Sequence, residues 1–481
     1  MQQNSIPEAE GAIVELTEDQ IDQWRSHAQT SPSLQTESEP QRTTEGPPAA
    51  RTPASAPTVN WLFVDLNSYF ASCEQQDRPE LRNRPIAVVP MMADTTCCIA
   101  ASYEAKAYGV KTGTIVADAK KLCPDLILVE GRHELYTQIH HKIVAAVESC
   151  VPVTAVCSID EMACRLIGRE RPLLTALELG RKVKRTIREQ VGERMRSSVG
   201  LAPNRYLAKI ASDMEKPDGL VALPVDVLPA ALPTLALRDL PGIGARTEKR
   251  LNAKGVHTMP QLLALNCEQM GQLWGSVWGE RLWHWLRGQD FDMADNEFAK
   301  SIGHQHVLAP EMRTPEKAWA VALKLLHKAA LRLRDANLWA ASIGLAVGFA
   351  VPRAQQEIPN SVSIYGVPRR GWHGEIKLTE CQDNQTLITA LRKLWRQQPS
   401  GEQYSHPYFV GVHLGGLVPD HLHSLSLFDA SDGADRRARL HAAMDALNHK
   451  YGMQTLAPAA MLTAFKAAPT RIAFNTVPDM F

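Results

Sequence analysis

The sequence lacks the features that mark membrane, secreted and zinc-binding proteins. No run of about 20 apolar residues, the length that spans a bilayer, occurs among its 481 residues. The N-terminus has no basic region followed by an apolar core, so no secretory signal is indicated. Nine cysteines are present without a CxxC pair, which argues against a disulfide framework or a zinc site. We therefore expect a reduced, cytoplasmic protein with no membrane partner.

The chain also lacks a net charge, since 52 Lys and Arg balance 52 Asp and Glu. That balance hides an asymmetry. Residues 1–59 contain nine acids and three bases, whereas residues 300–415 contain 14 bases and eight acids, a net charge of +6. An acidic segment ahead of a body with a basic module is compatible with nucleic-acid binding.

Length and composition predict a globular protein with several domains. Hydrophobic residues make up 44% of the chain, and 481 residues correspond to about three or four domains. Residues 30–59 are rich in Ser, Thr, Pro and Glu with few large apolar residues. We therefore predict that residues 1–59 are an acidic, largely disordered extension. Within it, residues 17–20 match a capping box, and the short helix it would open is either a frayed tail or a partner-docking helix.

From residue 60 onward, apolar periodicity predicts alternating strands and helices. Residues 61–66 are a compact apolar run ending in an acid, typical of a buried strand. Residues 133–148 place apolar side chains on one helical face, and residues 151–167 are rich in β-forming residues around a polar turn. Mixed elements of this kind indicate an α+β sheet domain.

Two further patterns occupy the second half of the chain. Residues 226–295 look helical and contain Leu-Pro-Gly-Ile-Gly at 240–244. Residues 300–417 show strand, helix, strand, strand, helix and strand, a self-contained βαββαβ module. One more helix is predicted over residues 436–451.

Three acids stand where the predicted strands end. Asp65 closes the first strand, and Asp160 and Glu161 lie at the turn of a hairpin about 95 residues later. If these strands are neighbours, the acids converge as the carboxylates of a two-metal site do, with ions roughly 4 Å apart. Magnesium prefers such oxygen ligands. Alone, strand-end acids are more often solvated structure, so the metal hypothesis depends on context.

Five motifs supply that context, and they occur in order at residues 64–74, 103–113, 158–161, 199–204 and 211–219. Over about residues 60–456 the chain resembles the Y-family (DinB/UmuC) translesion DNA polymerases. The resemblance implies a right-hand α+β fold with a ferredoxin-like palm, small fingers, a helix-hairpin-helix thumb and a βαββαβ little finger. The implied boundaries are 60–77 and 133–225 for the palm, 78–132 for the fingers, 226–295 for the thumb, 300–417 for the little finger and 418–481 for a C-terminal tail.

By position, the resemblance assigns catalysis and the binding of two Mg²⁺ ions to Asp65, Asp160 and Glu161. The backbone carbonyl of Leu66 would add a metal ligand. Phe70 matches the aromatic steric gate beneath the sugar, where a flat ring leaves no room for a 2′-hydroxyl.

The resemblance also implies four residues that contact the incoming nucleotide: Tyr69, Tyr103, Lys106 and Lys216. The family more often has Arg where this chain has Lys106. Lysine keeps the charge but loses the two-pronged hydrogen bonding of a guanidinium, so the grip on the triphosphate would differ.

Contacts with DNA are expected from the thumb and the little finger. Gly242 and Gly244 belong to a helix-hairpin-helix signature, in which backbone N–H groups approach a phosphate without a Cβ in the way. Arg246 follows in the next helix. Lys300 matches the usual entry to the little finger, whose basic charge would face phosphates.

Residues 424–428, Ser-Leu-Ser-Leu-Phe, resemble the pentapeptide that binds the bacterial sliding clamp. Leu425, Leu427 and Phe428 would supply its apolar anchors, while Ser424 replaces the usual glutamine and loses a side-chain amide. The alternative is a packed segment of the tail.

Together these features predict a low-fidelity, template-directed DNA polymerase that acts on primer-template DNA and dNTPs in damage tolerance. One alternative is a non-catalytic adaptor that binds DNA and the clamp, although adaptors of this kind have lost the carboxylates. Another is a catalytic subunit that needs UmuD-like or RecA-type partners, as in the UmuC branch.

Overall fold

The computed structural model describes residues 57–94, 96–291, 301–350, 369–423, 431–452, 455–465 and 467. Most of the predicted acidic extension, Lys300 and the pentapeptide with Leu425, Leu427 and Phe428 therefore lie outside the described residues. Val59 is already fully buried, so the folded body includes the last residues that composition assigned to the extension.

The first part of the chain alternates strands and helices, as predicted. In chain order the elements are β1 (Trp61–Leu66), α1 (Tyr69–Asp77), β2 (Ile86–Val89), β3 (Ala100–Ala101), α2 (Tyr103–Ala107), α3 (Val116–Leu122), β4 (Ile127–Glu130), α4 (His133–Glu148), β5 (Ala155–Val156), β6 (Glu161–Arg165), α5 (Leu173–Gln190), β7 (Ser197–Ala202), α6 (Arg205–Met214) and β8 (Leu220–Ala222).

These strands form two sheets. The larger has the order β5-β6-β1-β7-β8, and β1 pairs antiparallel with both β6 and β7. The smaller has the order β3-β2-β4 and carries the short helices α2 and α3.

Strand β1 lies in the middle of the larger sheet, and all six of its residues are buried. Its side chains alternate between two faces, as the pleat requires. Leu62 and Val64 pack in the core that includes α4 and α5, whereas Trp61 and Phe63 pack in the core that includes α6 and the following helices.

Four helices follow: α7 (Ala245–Asn252), α8 (Met259–Leu263), α9 (Cys267–Trp274) and α10 (Val277–Trp285). They are fixed to the larger sheet by buried contacts. Tyr206 stacks on Trp285 with ring centroids 5.3 Å apart, and the Asn204 amide donates to the Trp285 carbonyl at 2.9 Å. Trp61 donates its indole N–H to Asp290 at 3.0 Å.

The second half has the predicted βαββαβ order followed by a helix. Its elements are β9 (Ser301–Val307), α11 (Pro315–Asp335), β10 (Leu338–Ala350), β11 (Arg369–Cys381), α12 (Asn384–Arg396), β12 (Pro407–Pro419) and α13 (Ser431–Tyr451). The sheet order is β11-β10-β12-β9. Thr314 and Asp383 cap α11 and α12 by accepting backbone N–H bonds, which explains where these helices begin.

Within the described residues, no helix is long and apolar enough to cross a bilayer. All nine cysteines are free.

Candidate active site

Strand register brings the three predicted acids to one corner of the larger sheet. Asp65 lies directly opposite Glu161 of β6, and the N–H of Leu66 donates to the carbonyl of Asp160 at 2.8 Å. The hairpin that carries Asp160 and Glu161 is therefore the direct neighbour of β1. The predicted convergence of the three acids is present.

The acids are partly or wholly removed from water. Asp65 is 4% exposed. Burial raises the pKa of Asp160, and the nearby Asp65 carboxylate raises it further, while a hydrogen bond from the Ser158 hydroxyl opposes the shift. Burial also raises the pKa of Glu161, against the attraction of Lys209. Such clustering of like charges requires a compensating cation.

Two lysines supply positive charge inside this cluster. Lys209 of α6 bridges the acids, since its ammonium pairs with Asp65 and lies 2.8 Å from a Glu161 oxygen. Lys216 lies 2.7 Å from the other Asp65 oxygen. Both lysines also contact Asp213. Burial alone would lower the pKa of Lys209, but the three carboxylates raise it overall.

Lys209 and Asp213 were not among the predicted site residues. Their signal in the sequence is an i, i+4 Lys-Asp pair on a helix that directly follows a buried strand. The same pattern is common on solvated helix faces, so only the packing of α6 against β1 distinguishes it.

The carboxylate oxygens of the three acids are suitable ligands for a hard divalent cation. In this structure, lysine ammonium groups contact those of Asp65 and Glu161 instead. In the described part of the chain, no three His, Cys, Asp or Glu side chains are arranged to hold a metal ion. The carboxylate oxygens nevertheless already bind a bridging cation, the Lys209 ammonium, between Asp65 and Glu161. Oxygen ligands of this kind are those that Mg²⁺ prefers. Metal binding would require Lys209 to give up these contacts.

Phe70, the predicted sugar-contacting ring, lies in an aromatic cluster beside the acids. Its ring stacks on Tyr136 at a centroid distance of 4.6 Å and an interplanar angle of 20°. His133 meets Phe70 edge-on at 6.3 Å. Phe70 as a whole is only partly buried.

The predicted nucleotide-contacting side chains divide into two groups. Lys106 lies over the Tyr103 ring at 4.4 Å, and its pKa is lowered by burial and by the nearby Lys216 charge. Burial raises the pKa of Tyr103 to about 12, and the Asp65 charge adds to the shift. Lys106, Tyr103 and Lys216 therefore lie near Asp65. Tyr69 differs, because its side chain is 3% exposed and its hydroxyl donates to the Tyr136 carbonyl.

Asn67 fixes the turn that carries Lys216. Its carbonyl oxygen accepts from the backbone N–H of Asp218 at 2.8 Å, and its amide donates to Ser198 at 3.0 Å. Asn67 was not among the predicted site residues. Its hydrogen bonds connect the end of β1 to the turn that carries Lys216.

The predicted helix-hairpin-helix turn is exposed and rigidly held. Gly242 has φ +88°, and Gly244 precedes α7 with open space where a Cβ would point. The Tyr206 hydroxyl donates to the carbonyl of Pro241 at 2.9 Å, and Ile243 is buried. The glycines and Arg246 thus lie on an exposed turn anchored to α6.

Part of the positive charge of the βαββαβ module lies in its interior. Core residues on β10 and β12 alternate with small residues on the opposite face, such as Gly344, Gly348 and Gly411, which are themselves buried beneath neighbouring side chains. Several bases lie on α11 instead, and Lys324 and Lys328 are 2% and 6% exposed. The net charge of +6 therefore includes at least two lysines, Lys324 and Lys328, that do not lie on the surface.

Comparison with known proteins places these features in a family. The model of the impB/mucB/samB family matches residues 64–213, and the model of its C-terminal domain matches residues 299–427. The thumb domain of DNA polymerase-iota matches residues 238–290.

Curated relatives match along nearly their whole length. A DNA polymerase IV of Moorella thermoacetica is 34% identical over 410 residues, which cover 84% of this chain and 96% of the relative. A DNA polymerase IV of Pelotomaculum thermopropionicum is 31% identical over 406 residues, covering 84% and 95%.

A solved structure supports the fold. A Y-family DNA polymerase chimera of Dbh and Dpo4 aligns with a TM-score of 0.60 at 22% identity, over 75% of this chain and 99% of its own length. The right-hand α+β architecture predicted from the motifs is therefore confirmed, and the chain belongs to the impB/mucB/samB family of Y-family DNA-directed DNA polymerases.

Proposed function

We propose that this chain performs template-directed, low-fidelity DNA synthesis across damaged templates by two-metal nucleotidyl transfer. The observation that carries the proposal is the convergence of Asp65, Asp160 and Glu161 at adjacent strand ends, with the Lys209 ammonium bridging Asp65 and Glu161. In the proposed reaction the primer 3′-hydroxyl attacks the α-phosphorus of a dNTP and pyrophosphate leaves.

Each chain residue has a definite part in this scheme. Asp65, Asp160, Glu161 and the Leu66 carbonyl would hold two Mg²⁺ ions. When bound, the ions activate the attacking hydroxyl and stabilise charge on the leaving oxygen. Phe70 excludes a 2′-hydroxyl by occupying the space beside C2′.

The triphosphate would meet the positive charge of Lys106 and Lys216, which lies beside the acids. Burial lowers the pKa of Lys106, and the nearby Lys216 charge lowers it further. A triphosphate placed between them would relieve this repulsion. Tyr103 supports Lys106 from below through its ring. The site therefore places ammonium groups directly beside carboxylates, which supplies ligands for metal ions and positive charge for a triphosphate.

The translesion role is supported by the small size of the fingers. Their sheet has three strands, and helices α2 and α3 span only five and seven residues. A small module of this kind leaves much of a nascent base pair uncovered, which suits distorted templates.

Two isosteric substitutions test the catalytic assignment. Asp160→Asn and Glu161→Gln should each abolish primer extension, because they remove the charge needed for metal binding while keeping side-chain volume. DNA affinity in a gel shift should stay within about twofold, since the phosphate contacts lie elsewhere. Extension should be measured on undamaged and abasic templates with the same preparations. Substantial synthesis by either variant would contradict the metal-site assignment.

The same experiment separates the alternatives. A non-catalytic adaptor would bind DNA but extend no primer even as the unsubstituted chain. A subunit that depends on UmuD-like or RecA-type partners would extend only when they are added. The presence of all three acids favours the polymerase. We also propose that residues 424–428 bind the sliding clamp, as their resemblance to its ligand pentapeptide implies.

A further inference from the structure

We propose that Glu74 and Arg132 are positioning residues that set sugar discrimination by holding Tyr136 against Phe70. The inference rests on the proposed role of Phe70 as the steric gate and adds to it. The gate would then be a ring held by a fixed neighbour, and the ion pair between the buried Glu74 and the partly exposed Arg132 would determine the position of that neighbour.

Glu74 is an unusual residue for the interior of the palm. It lies on α1, one turn after Phe70, and is fully buried with 0% exposure. Its carboxylate accepts two hydrogen bonds from Arg132, at 3.0 and 2.6 Å, and a third from the Tyr136 hydroxyl at 2.7 Å. A buried carboxylate is costly, and a pair of well-packed apolar residues would often be more stabilising. The arrangement therefore indicates a need for a defined orientation.

Tyr136 transmits that orientation to Phe70. Its hydroxyl is fixed by Glu74, its ring is fully buried and stacks on Phe70, and its backbone carbonyl accepts from Tyr69. Tyr136 is thus held both at its hydroxyl and at its backbone. A stacked ring at 4.6 Å leaves Phe70 no room to withdraw in that direction. If Phe70 cannot retreat, a 2′-hydroxyl meets a rigid surface, whereas a movable ring would yield to it.

Arg132 places this support at the junction of two modules. It lies between β4 of the fingers and α4 of the palm, and it also pairs with Asp77 at the end of α1 at 2.7 Å. Its pKa is raised, first by the hydrogen bond to Glu74. The Arg132 side chain therefore connects the segment between β4 and α4 to α1, the helix that carries Phe70.

The test compares sugar discrimination in matched variants. Glu74→Gln keeps the shape of the side chain but removes its charge, and Tyr136→Phe removes only the hydroxyl. Arg78→Ala is the control, because Arg78 approaches the same carboxylate at a looser 3.7 Å and is 39% exposed. The readout is the ratio of kcat/KM for a dNTP to that for the matching rNTP.

We expect Glu74→Gln and Tyr136→Phe to lower this ratio about fivefold, as the loss of one hydrogen bond would. The change should appear as a lower KM for the rNTP, with kcat for the dNTP nearly unchanged. Arg78→Ala should leave the ratio at the level of the unsubstituted chain. A general loss of packing would instead lower kcat for both sugars together.

A double substitution shows whether the effect passes through the gate. In a Phe70→Ala background, which should itself admit ribonucleotides, adding Glu74→Gln should change the ratio no further. The proposal is overturned if Glu74→Gln and Tyr136→Phe both leave the ratio unchanged, or if Glu74→Gln has an equal effect with and without Phe70. If Glu74→Gln does not fold, Tyr136→Phe alone decides. Failure of Phe70→Ala to change the ratio would overturn the gate itself, which distinguishes the two claims.

Discussion

At the scale of single residues, the site is defined by the balance between three acids and two lysines. Lys209 neutralises the acids from within, so the folded chain tolerates like charges at one corner of the sheet. The same contact competes with any metal ion that the acids would bind. We therefore expect Lys209 to stabilise the protein when no metal is bound. We also expect it to weaken the binding of a metal ion by the acids.

This balance predicts the behaviour of Lys209→Met. The variant should have a lower thermal midpoint without divalent ions, because the carboxylates repel one another. It should gain more stability than the unsubstituted chain when Mg²⁺ or non-catalytic Ca²⁺ is added. Tenfold tighter binding would add about 1.4 kcal/mol at saturating ion.

Thermal shifts with increasing ion concentration measure this difference. Lys184→Met serves as the control, since Lys184 pairs with Asp218 outside the acid cluster. Equal ion-induced shifts in Lys209→Met and the unsubstituted chain would show that Lys209 does not compete with the metal.

At the scale of elements, sequence periodicity predicted most strands and helices, and the strand ends located the acids. Asp65 was identified because it closes an apolar run, which is a local signal. Lys209 and Glu74 carry no such signal, since each lies on a helix where charged residues are usually solvated. Their importance depends on the packing of α6 and α1 against the sheet, which periodicity does not encode.

The thumb hairpin allows a matched test of its role in DNA binding. Gly242→Ala should weaken DNA binding for all sequences alike, because its left-handed φ of +88° shapes the turn that presents N–H groups. Gly255 is the control, with φ +83° and no atom within 4 Å of its would-be Cβ. Both substitutions should cost about 1–2 kcal/mol of stability. Only Gly242→Ala should lower affinity in a salt titration of a DNA gel shift, and an equal loss in both variants would contradict the assignment.

We predict that the stability of the little finger depends on pH through His304 of β9. Burial lowers the pKa of His304 to about 4, with the charges of Arg332 and Lys328 adding to the shift. Its Nε2 atom has no hydrogen-bond partner. The unfolded chain, with an ordinary histidine pKa of about 6.5, binds more protons below that pH. Stability should therefore fall as the pH drops from 6.5 towards 4.

The contribution of His304 is isolated by His304→Gln. Between pH 7 and pH 5 the unsubstituted chain should lose about 2 kcal/mol more than this variant. His327 and His441, whose pKa values are also lowered by burial, remain in both proteins. Thermal midpoints at the two pH values provide the measurement, with His406→Gln, an exposed position, as the control. Parallel pH profiles would exclude His304 as the source.

At the scale of the whole molecule, the segment that carries the clamp pentapeptide lies between two anchored ends. His423 precedes it, stacked on Trp339 with ring centroids 3.6 Å apart and bonded to Glu380 at 2.6 Å. Helix α13 begins at Ser431 and is held by the bond from Arg334 to Asp445 at 2.6 Å. Residues 424–430 therefore connect two elements that are each held by side-chain contacts.

These anchors sharpen the prediction for clamp binding. Replacing Leu427 and Phe428 with Ala should leave distributive synthesis on a short primer unchanged and remove stimulation by the sliding clamp. Short motifs draw most of their affinity from a few buried apolar anchors, so the double truncation should cost most of the binding. Leu422→Ala is the matched control, because Leu422 is 62% exposed and lies just before the segment.

Ser424→Gln tests the same contact in the opposite direction. A glutamine amide restores hydrogen bonds that serine is too short to make, so clamp affinity should rise while polymerase activity without the clamp stays constant. The contacts of His423 and Asp445 that hold the two flanking elements lie outside residues 424–428. Neither change should therefore alter the thermal midpoint. Clamp affinity that responds to Leu422→Ala as strongly as to the double truncation would place the contact before the pentapeptide. Affinity that responds to none of these changes would place it elsewhere in the chain.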